Sequence, residues 1–434
     1  MAKKLLKNTV FILSAVILSA ILGTALLFAA YLLPVDGIRE HVRDSSPVYD
    51  REGLTNLYVP WLTSTRMDNY TDSIMLSEAA YKGNGKALNK ALLSPYCYVT
   101  DPEAYAKPGY LIRMLDPSEE NSTILVSYSR YWHGYLILIK PLLMVTGITG
   151  IRIVNAVFQT LMFVLILLEL HKAGVLRRFI LPLLVTILLV NPVSTALNMQ
   201  FACIYNITLV LSFILLHFKL YSSENLWKLF LAAGISVAYF DFLTYPLMSL
   251  GIPLIFALAL GGFSSKDNLI RTVTSSFAWG FGYASMWVSK WIICDLVTGS
   301  NTVTNAVNQV LVRTVTNAYE ETGIESGNVI DVIGYNLEVF RDPLSLCIIS
   351  GSVLGFVIFL IAKKIRFRPD ESVLIPLLLI ALMPFAWYVV LSNHSAIHFW
   401  MTYRNMAVTI FAAGVIMACG TGTGSTDKAA KDKR

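Results

Sequence analysis

The chain has 434 residues, of which 55% are hydrophobic and only 14% charged, with a mean hydropathy of +0.60. That balance excludes a soluble domain of this length and describes a polytopic membrane protein. The formal net charge of +6 is no nucleic-acid footprint, because lysine and arginine report orientation in such a chain, and the five scattered cysteines indicate neither a disulfide framework nor a cysteine metal site.

Residues 9–33, TVFILSAVILSAILGTALLFAAYLL, follow Lys3, Lys4 and Lys7. The run is too long for the core of a secretory signal and ends in no small-x-small cleavage site, so it predicts a retained first helix with a cytoplasmic amino terminus. A long polar loop, residues 34–150, comes next. In it RMDNYTDSIMLSEAAYKG (66–83) sets Asp68 and Asp72 four residues apart, so a helix there places both carboxylates on one face. Such a pair suits a general base or a divalent cation, and equally a solvated external helix. Further on, SYSRYWHGYLILIKPLL (127–143) groups Arg130, His133 and Lys140 around Trp132. The cations suit a lipid phosphate, and the whole stretch also reads as an interface belt.

Apolar runs at 151–170, 179–195, 201–218, 228–243, 246–262, 272–294, 344–362, 373–391 and 402–419 predict, with the first helix, about ten spans. The run 135–149 is short, contains Pro141 and carries Lys140, and reads as a juxtamembrane helix. Leaving it out puts Lys172, Arg177, Arg178, Lys219, Lys228, Lys266, Arg271, the KKIRFR run at 363–368 and the basic tail on the side of the amino terminus. Both termini are then cytoplasmic. The external side receives the loop 34–150, NPVSTALNMQ (191–200), FDFLTYP (240–246), the polar stretch 296–342 and SNHSAIHFWMTYRN (392–405).

Asp241 in FDFLTYP is costly so close to apolar helices, which makes it a functional candidate or else the cap of a turn before Pro246. In the 392–405 stretch His394 and His398 have i, i+4 spacing but no third metal ligand, and with Arg404 they can donate to a phosphate. Trp400 and Tyr403 suit headgroup depth. The expected fold is all-α, one membrane domain over residues 1–420, followed by a disordered cytoplasmic tail at 421–434.

One helix, a large external loop bearing an early acid, and IKPLLMVTGITGIRIVNAVFQTLMFVLILLEL (139–170), with Lys140, Pro141 and Arg152, together resemble the GT-C superfamily of integral membrane glycosyltransferases. The resemblance implies a GT-C-like bundle with juxtamembrane helices, sited in the plasma membrane of a bacterium with its active site outside. It implies inverting transfer of a sugar from a polyprenyl-phosphate donor to an extracytoplasmic glycan, lipid or polymer acceptor. Asp68 or Asp72 is then the general base, while Arg130, His133, Lys140, His394, His398 and Arg404 hold the donor phosphate. Asp241 and Tyr403 orient substrate hydroxyls, and a divalent cation at Asp68 and Asp72 stays open. A polysaccharide polymerase or ligase, or a lipid or solute transporter, is the alternative.

Overall fold

A computed structural model describes residues 2–314 and 328–421. The opening apolar run forms α1 (Ala2–Tyr31), and Pro34 turns the chain into α2 (Val35–Glu52), whose Ile38, Val42 and Tyr49 form a buried stripe. The rest of the first loop holds α3 (Asn69–Ala79), α4 (Ala87–Leu93) and an antiparallel hairpin of β1 (Pro95–Val99) and β2 (Thr123–Ser127), with α5 (Tyr110–Arg113) in its connection. This hairpin corrects the all-α expectation to nearly all-α. α6 (Leu136–Leu143) has only eight residues, about 12 Å of helix. It is far too short to cross a membrane.

The remaining helices are α7 (Ile148–Lys172), α8 (Leu176–Val190), α9 (Pro192–Leu197), α10 (Met199–His217), α11 (Leu226–Phe240), α12 (Leu247–Gly261) and α13 (Ser265–Thr298). They continue as α14 (Thr302–Thr314), α15 (Val329–Glu338), α16 (Pro343–Lys363), α17 (Glu371–Val390), α18 (Ser392–Ile397), α19 (Phe399–Thr402) and α20 (Ala407–Gly420).

Among the described residues six helices are long and apolar enough to cross a membrane: Leu6–Tyr31, Ile148–Lys172, Met199–His217, Pro343–Lys363, Glu371–Val390 and Phe399–Gly420. The chain is a membrane protein. The apolar runs at 179–195, 228–243 and 246–262 yield helices of 15 residues each, about 22 Å against a hydrocarbon layer of about 30 Å. The expected tail lies outside the described residues beyond Thr421, as do residues 315–327 of the 296–342 stretch.

Two cores hold the bundle. One joins α7, α8, α10, α12, α17 and α20 through residues such as Phe179, Phe256 and Phe411; the other packs the first loop and α1 onto α11 and α13. At the α11–α13 crossing a Cβ on Gly234 would lie 2.0 Å from the Trp279 carbonyl oxygen, and one on Gly282 would lie 2.5 Å from that of Leu231. Only glycine admits this approach. The crossing therefore sets which face of α13 is left for its other neighbours.

Candidate functional site

Polar groups from α3, α10, the 241–246 turn, α18 and the 3-10 turn Tyr403–Met406 meet through hydrogen bonds that join distant parts of the chain. Asp68 is the N-cap of α3: its Oδ1 accepts the Thr71 N–H at 3.1 Å, and its own N–H donates to Asn198 Oδ1 at 2.7 Å. Asp72 reaches the next helix. Its Oδ2 accepts the Met199 N–H at 3.0 Å and its Oδ1 that of Gln200 at 3.2 Å. It caps α10 from outside, where helical N–H groups lack intrahelical partners and the dipole favours an anion.

Both carboxyls are buried, and burial pushes Asp68 up to about 6 against the opposing pull of Thr71 and of the Arg404 charge. Burial likewise lifts Asp72 to about 7, opposed by the Met199 N–H and reinforced by the charge of Asp68. The acids therefore divide their duties: Asp72 spends both oxygens on the α10 end, while Asp68 bonds Thr71 within its own helix. That donor set fits a divalent cation poorly. Among the described residues no group of three His, Cys, Asp or Glu side chains assembles.

Arg404 is fully buried beside Asp68. It donates from Nε to the Val190 carbonyl at 3.2 Å, from Nη1 to Trp400 at 3.1 Å and from Nη2 to Ser64 at 3.1 Å, with its guanidinium 4.2 Å from the Phe201 ring centre. Tyr403 donates its hydroxyl to the same Val190 carbonyl at 3.2 Å, which ties it into the scaffold. His394 Nε2 stands 2.7 Å from the Leu243 carbonyl. A carbonyl only accepts, so Nε2 carries the proton and Nδ1 is left as an acceptor. The His394 and His398 rings lie 4.8 Å apart. Burial holds His394 well below the ordinary histidine range, helped by the charges of His398 and Arg313, and takes His398 down to about 4, again with Arg313. Neither ring is charged at neutral pH, so charge for a phosphate falls to the arginines.

Asp241 shapes a turn, accepting the Thr244 N–H at 2.9 Å and the Thr244 hydroxyl at 2.5 Å. The same turn holds Leu243 at φ +71°, an uncommon conformation for a residue with a side chain, and presents the carbonyl that His394 grips. His133 and Lys140 belong to a different buried network. His133 Nε2 lies 2.7 Å from the Tyr128 carbonyl, and its Nδ1 lies 2.9 Å from the Tyr135 hydroxyl and 3.1 Å from Glu78 Oε2. Tyr135 also donates to Glu78, and Lys140 donates to the Ala79 carbonyl at 2.7 Å. These bonds fasten α6 to the end of α3, where the sequence suggested a headgroup contact.

Arg130 is placed otherwise. Its guanidinium lies 4.5 Å from the Tyr128 ring centre and 5.5 Å from that of Tyr131; among the described residues it forms no ion pair, and its Nε is buried without an acceptor. Arg66 has the same character, 5.7 Å over Trp400, with a buried Nε lacking an acceptor. Sequence reasoning passed over Arg66, although its place two residues before Asp68 was a usable signal. It also passed over Arg313, which donates to the Tyr131 hydroxyl at 3.0 Å, and over Glu78, which no pattern marks.

Arg152, matched above by resemblance, clamps the scaffold. It bonds Glu52 at 2.7 and 2.9 Å, Asn69 Oδ1 at 3.0 Å and the Leu197 carbonyl at 2.8 Å, so α2, α3, α7 and α9 meet on one side chain. No family model, curated protein or solved structure matches this chain. The site itself carries the functional reading.

Proposed function

We propose that the protein is a GT-C-like membrane glycosyltransferase of about ten spans. It transfers a sugar from a polyprenyl-phosphate donor to an extracytoplasmic glycan, lipid or polymer acceptor, with inversion. Nucleotide sugars are cytosolic, so a transferase working outside takes its donor from a membrane lipid. The observation that carries the reading is Asp68, a buried carboxyl raised to about 6 at the N-cap of α3, with the Arg404 charge beside it. A group with that value is ionised at neutral pH and still basic enough to take a hydroxyl proton.

In the reaction Asp68 removes the acceptor proton as the acceptor oxygen attacks the anomeric carbon. The bond from that carbon to the phosphate oxygen breaks, and the lipid phosphate leaves with the electron pair. Arg66 and Arg130, which pair with no carboxylate among the described residues, supply positive charge for a leaving phosphate. The Arg404 charge favours the ionised form of Asp68, and Asp72 fixes the α10 end beside Asn198, to which the Asp68 N–H is bonded. The test is transfer by purified protein from a polyprenyl-phosphate sugar to an extracted envelope acceptor. Asp68→Asn is expected to lower the rate at least a hundredfold while the melting temperature stays near wild type. Full transfer by both Asp68→Asn and Asp72→Asn would overturn the assignment.

A further inference from the structure

α13 carries Trp279, Tyr283, Trp287 and Trp291 at four-residue intervals, which lines them along one side of the helix over about 18 Å. Their rings touch in series, with centres 5.1, 5.4 and 6.2 Å apart. Trp279 is buried and donates to Ser249, whereas Tyr283, Trp287 and Trp291 are half-buried. The row ends beneath the loop that carries Arg130, since Trp291 donates to the Arg130 carbonyl at 2.8 Å.

Around Tyr131 the hydrogen-bonding groups do not balance. The Tyr131 ring lies 5.2 Å from Trp287 and 5.5 Å from the Arg130 guanidinium, and its hydroxyl receives Arg313 at 3.0 Å. Next to it, among the described residues, Arg130 Nε, Trp287 Nε1 and the Tyr283 hydroxyl are all buried without a partner. Each such group has given up its bond to water without gaining another. Three in one place, all able to donate and one of them a guanidinium N–H, describe a spot that lacks an acceptor among the described residues. A structural core would supply acceptors here, as it does for Trp279 with the Ser249 hydroxyl and for Trp291 with the Arg130 carbonyl.

We propose that the Arg130, Tyr131, Tyr283, Trp287 and Arg313 cluster binds the phosphate of an isoprenoid phosphate, with the chain beyond the phosphate lying on the aromatic row of α13. A phosphate oxygen accepts and never donates, which matches a surface made of donors. The half-buried aromatic faces on a long bundle helix match an apolar, unsaturated chain, and the cations sit at one end of the row, as an amphiphile requires. The assignment rests on the donor reading above and sharpens it, placing the phosphate at Tyr131 and leaving Arg404 to Asp68. Tyr283 and Trp287 become binding residues, and Arg313 a third cation beside Arg130.

The test is binding to the full chain in nanodiscs of neutral lipid, followed by native mass spectrometry and by melting. The probes are a polyprenyl phosphate, the matching polyprenol, inorganic phosphate and phosphatidylglycerol. Wild type is expected to bind the polyprenyl phosphate, the polyprenol much more weakly, and inorganic phosphate hardly at all, with phosphatidylglycerol failing to displace the probe. Tyr283→Phe keeps the ring and Trp287→Phe keeps an aromatic face of smaller area; each removes one donor and is expected to weaken binding about tenfold or more, the size of a hydrogen bond to a charged group. Arg130→Gln is expected to do the same, with the melting temperature without ligand reporting that it folds. If wild type binds the probe and the Phe variants bind equally well, this site is wrong while the donor reading stands. If wild type binds no polyprenyl phosphate, the donor reading itself fails. Equal binding of inorganic phosphate would make the cluster a free-anion site, and full displacement by phosphatidylglycerol would make it a general headgroup site; either overturns the isoprenoid assignment.

Discussion

Asp68 and Asp72 are four residues apart, yet their surroundings give them different work. Asp68 is buried at the N-cap of α3, and if it is the proposed base, transfer is expected to rise as pH passes about 6, because a base acts only when ionised. A pH–rate profile flat between about pH 5 and pH 8 would remove Asp68 from that role. Asp72 makes a separate stability prediction. Its carboxyl is raised to about 7 in the folded protein, so the folded state holds the proton more tightly than the unfolded chain does. The resulting stabilisation is complete below the ordinary carboxyl value and is lost as pH climbs through about 7. Melting temperature should therefore fall across that window in wild type and fall less in Asp72→Asn. Glu78 serves as an anchor for His133 and Tyr135. Removing it as Glu78→Ala leaves His133 and Tyr135 buried without their acceptor, a loss of about 3–5 kcal/mol measurable as a large drop in melting temperature.

Helix contacts explain how such side chains come to face one another. α3 and α10 meet end to end because Asp72 caps the second from the first, and α7 is pinned to α2 and α3 by Arg152. Lysine at position 152 keeps the charge but cannot reproduce the forked contact with Glu52, so Arg152→Lys is expected to loosen the first loop. The α11–α13 crossing is more sensitive still. A leucine at Gly282 would overlap the Leu231 backbone, and Gly282→Leu should cost about 1–3 kcal/mol or more, read as lost expression and lowered melting temperature. Gly280, one turn-face away with open space around it, is the control: Gly280→Ala should be tolerated.

For the molecule as a whole, the arrangement predicts sidedness. A cysteine introduced at Ser300 should react with a membrane-impermeant maleimide added outside intact cells, and one at Lys364 should not. Reversed labelling would put the candidate site on the cytoplasmic face, where a polyprenyl-linked donor is no longer required. The membrane class and most helix positions were readable from hydropathy, since the transfer of a side chain into lipid is a local property summed along the chain. The short α6 was readable too, from Pro141 and Lys140 in a run too brief to cross. The hairpin at 95–127 was not, because its strands are short and lie within a polar loop.

The sequence marked Asp68 and Arg130 as candidates by residue type and by their place on the expected external side. Which of those residues pair was not readable, because the deciding bonds join positions far apart: Asp68 to Asn198 across 130 residues, and Arg404 to Ser64 across 340. Burial then neutralises His394 and His398, commits Asp72 to the α10 end and turns Lys140 inward to Ala79. Local composition sets what a segment is and where in the membrane it can stand. Whether a buried polar group is satisfied depends on the neighbours that folding brings to it, and that separates Arg130, whose Nε meets no acceptor among the described residues, from His133 and Lys140, which find theirs.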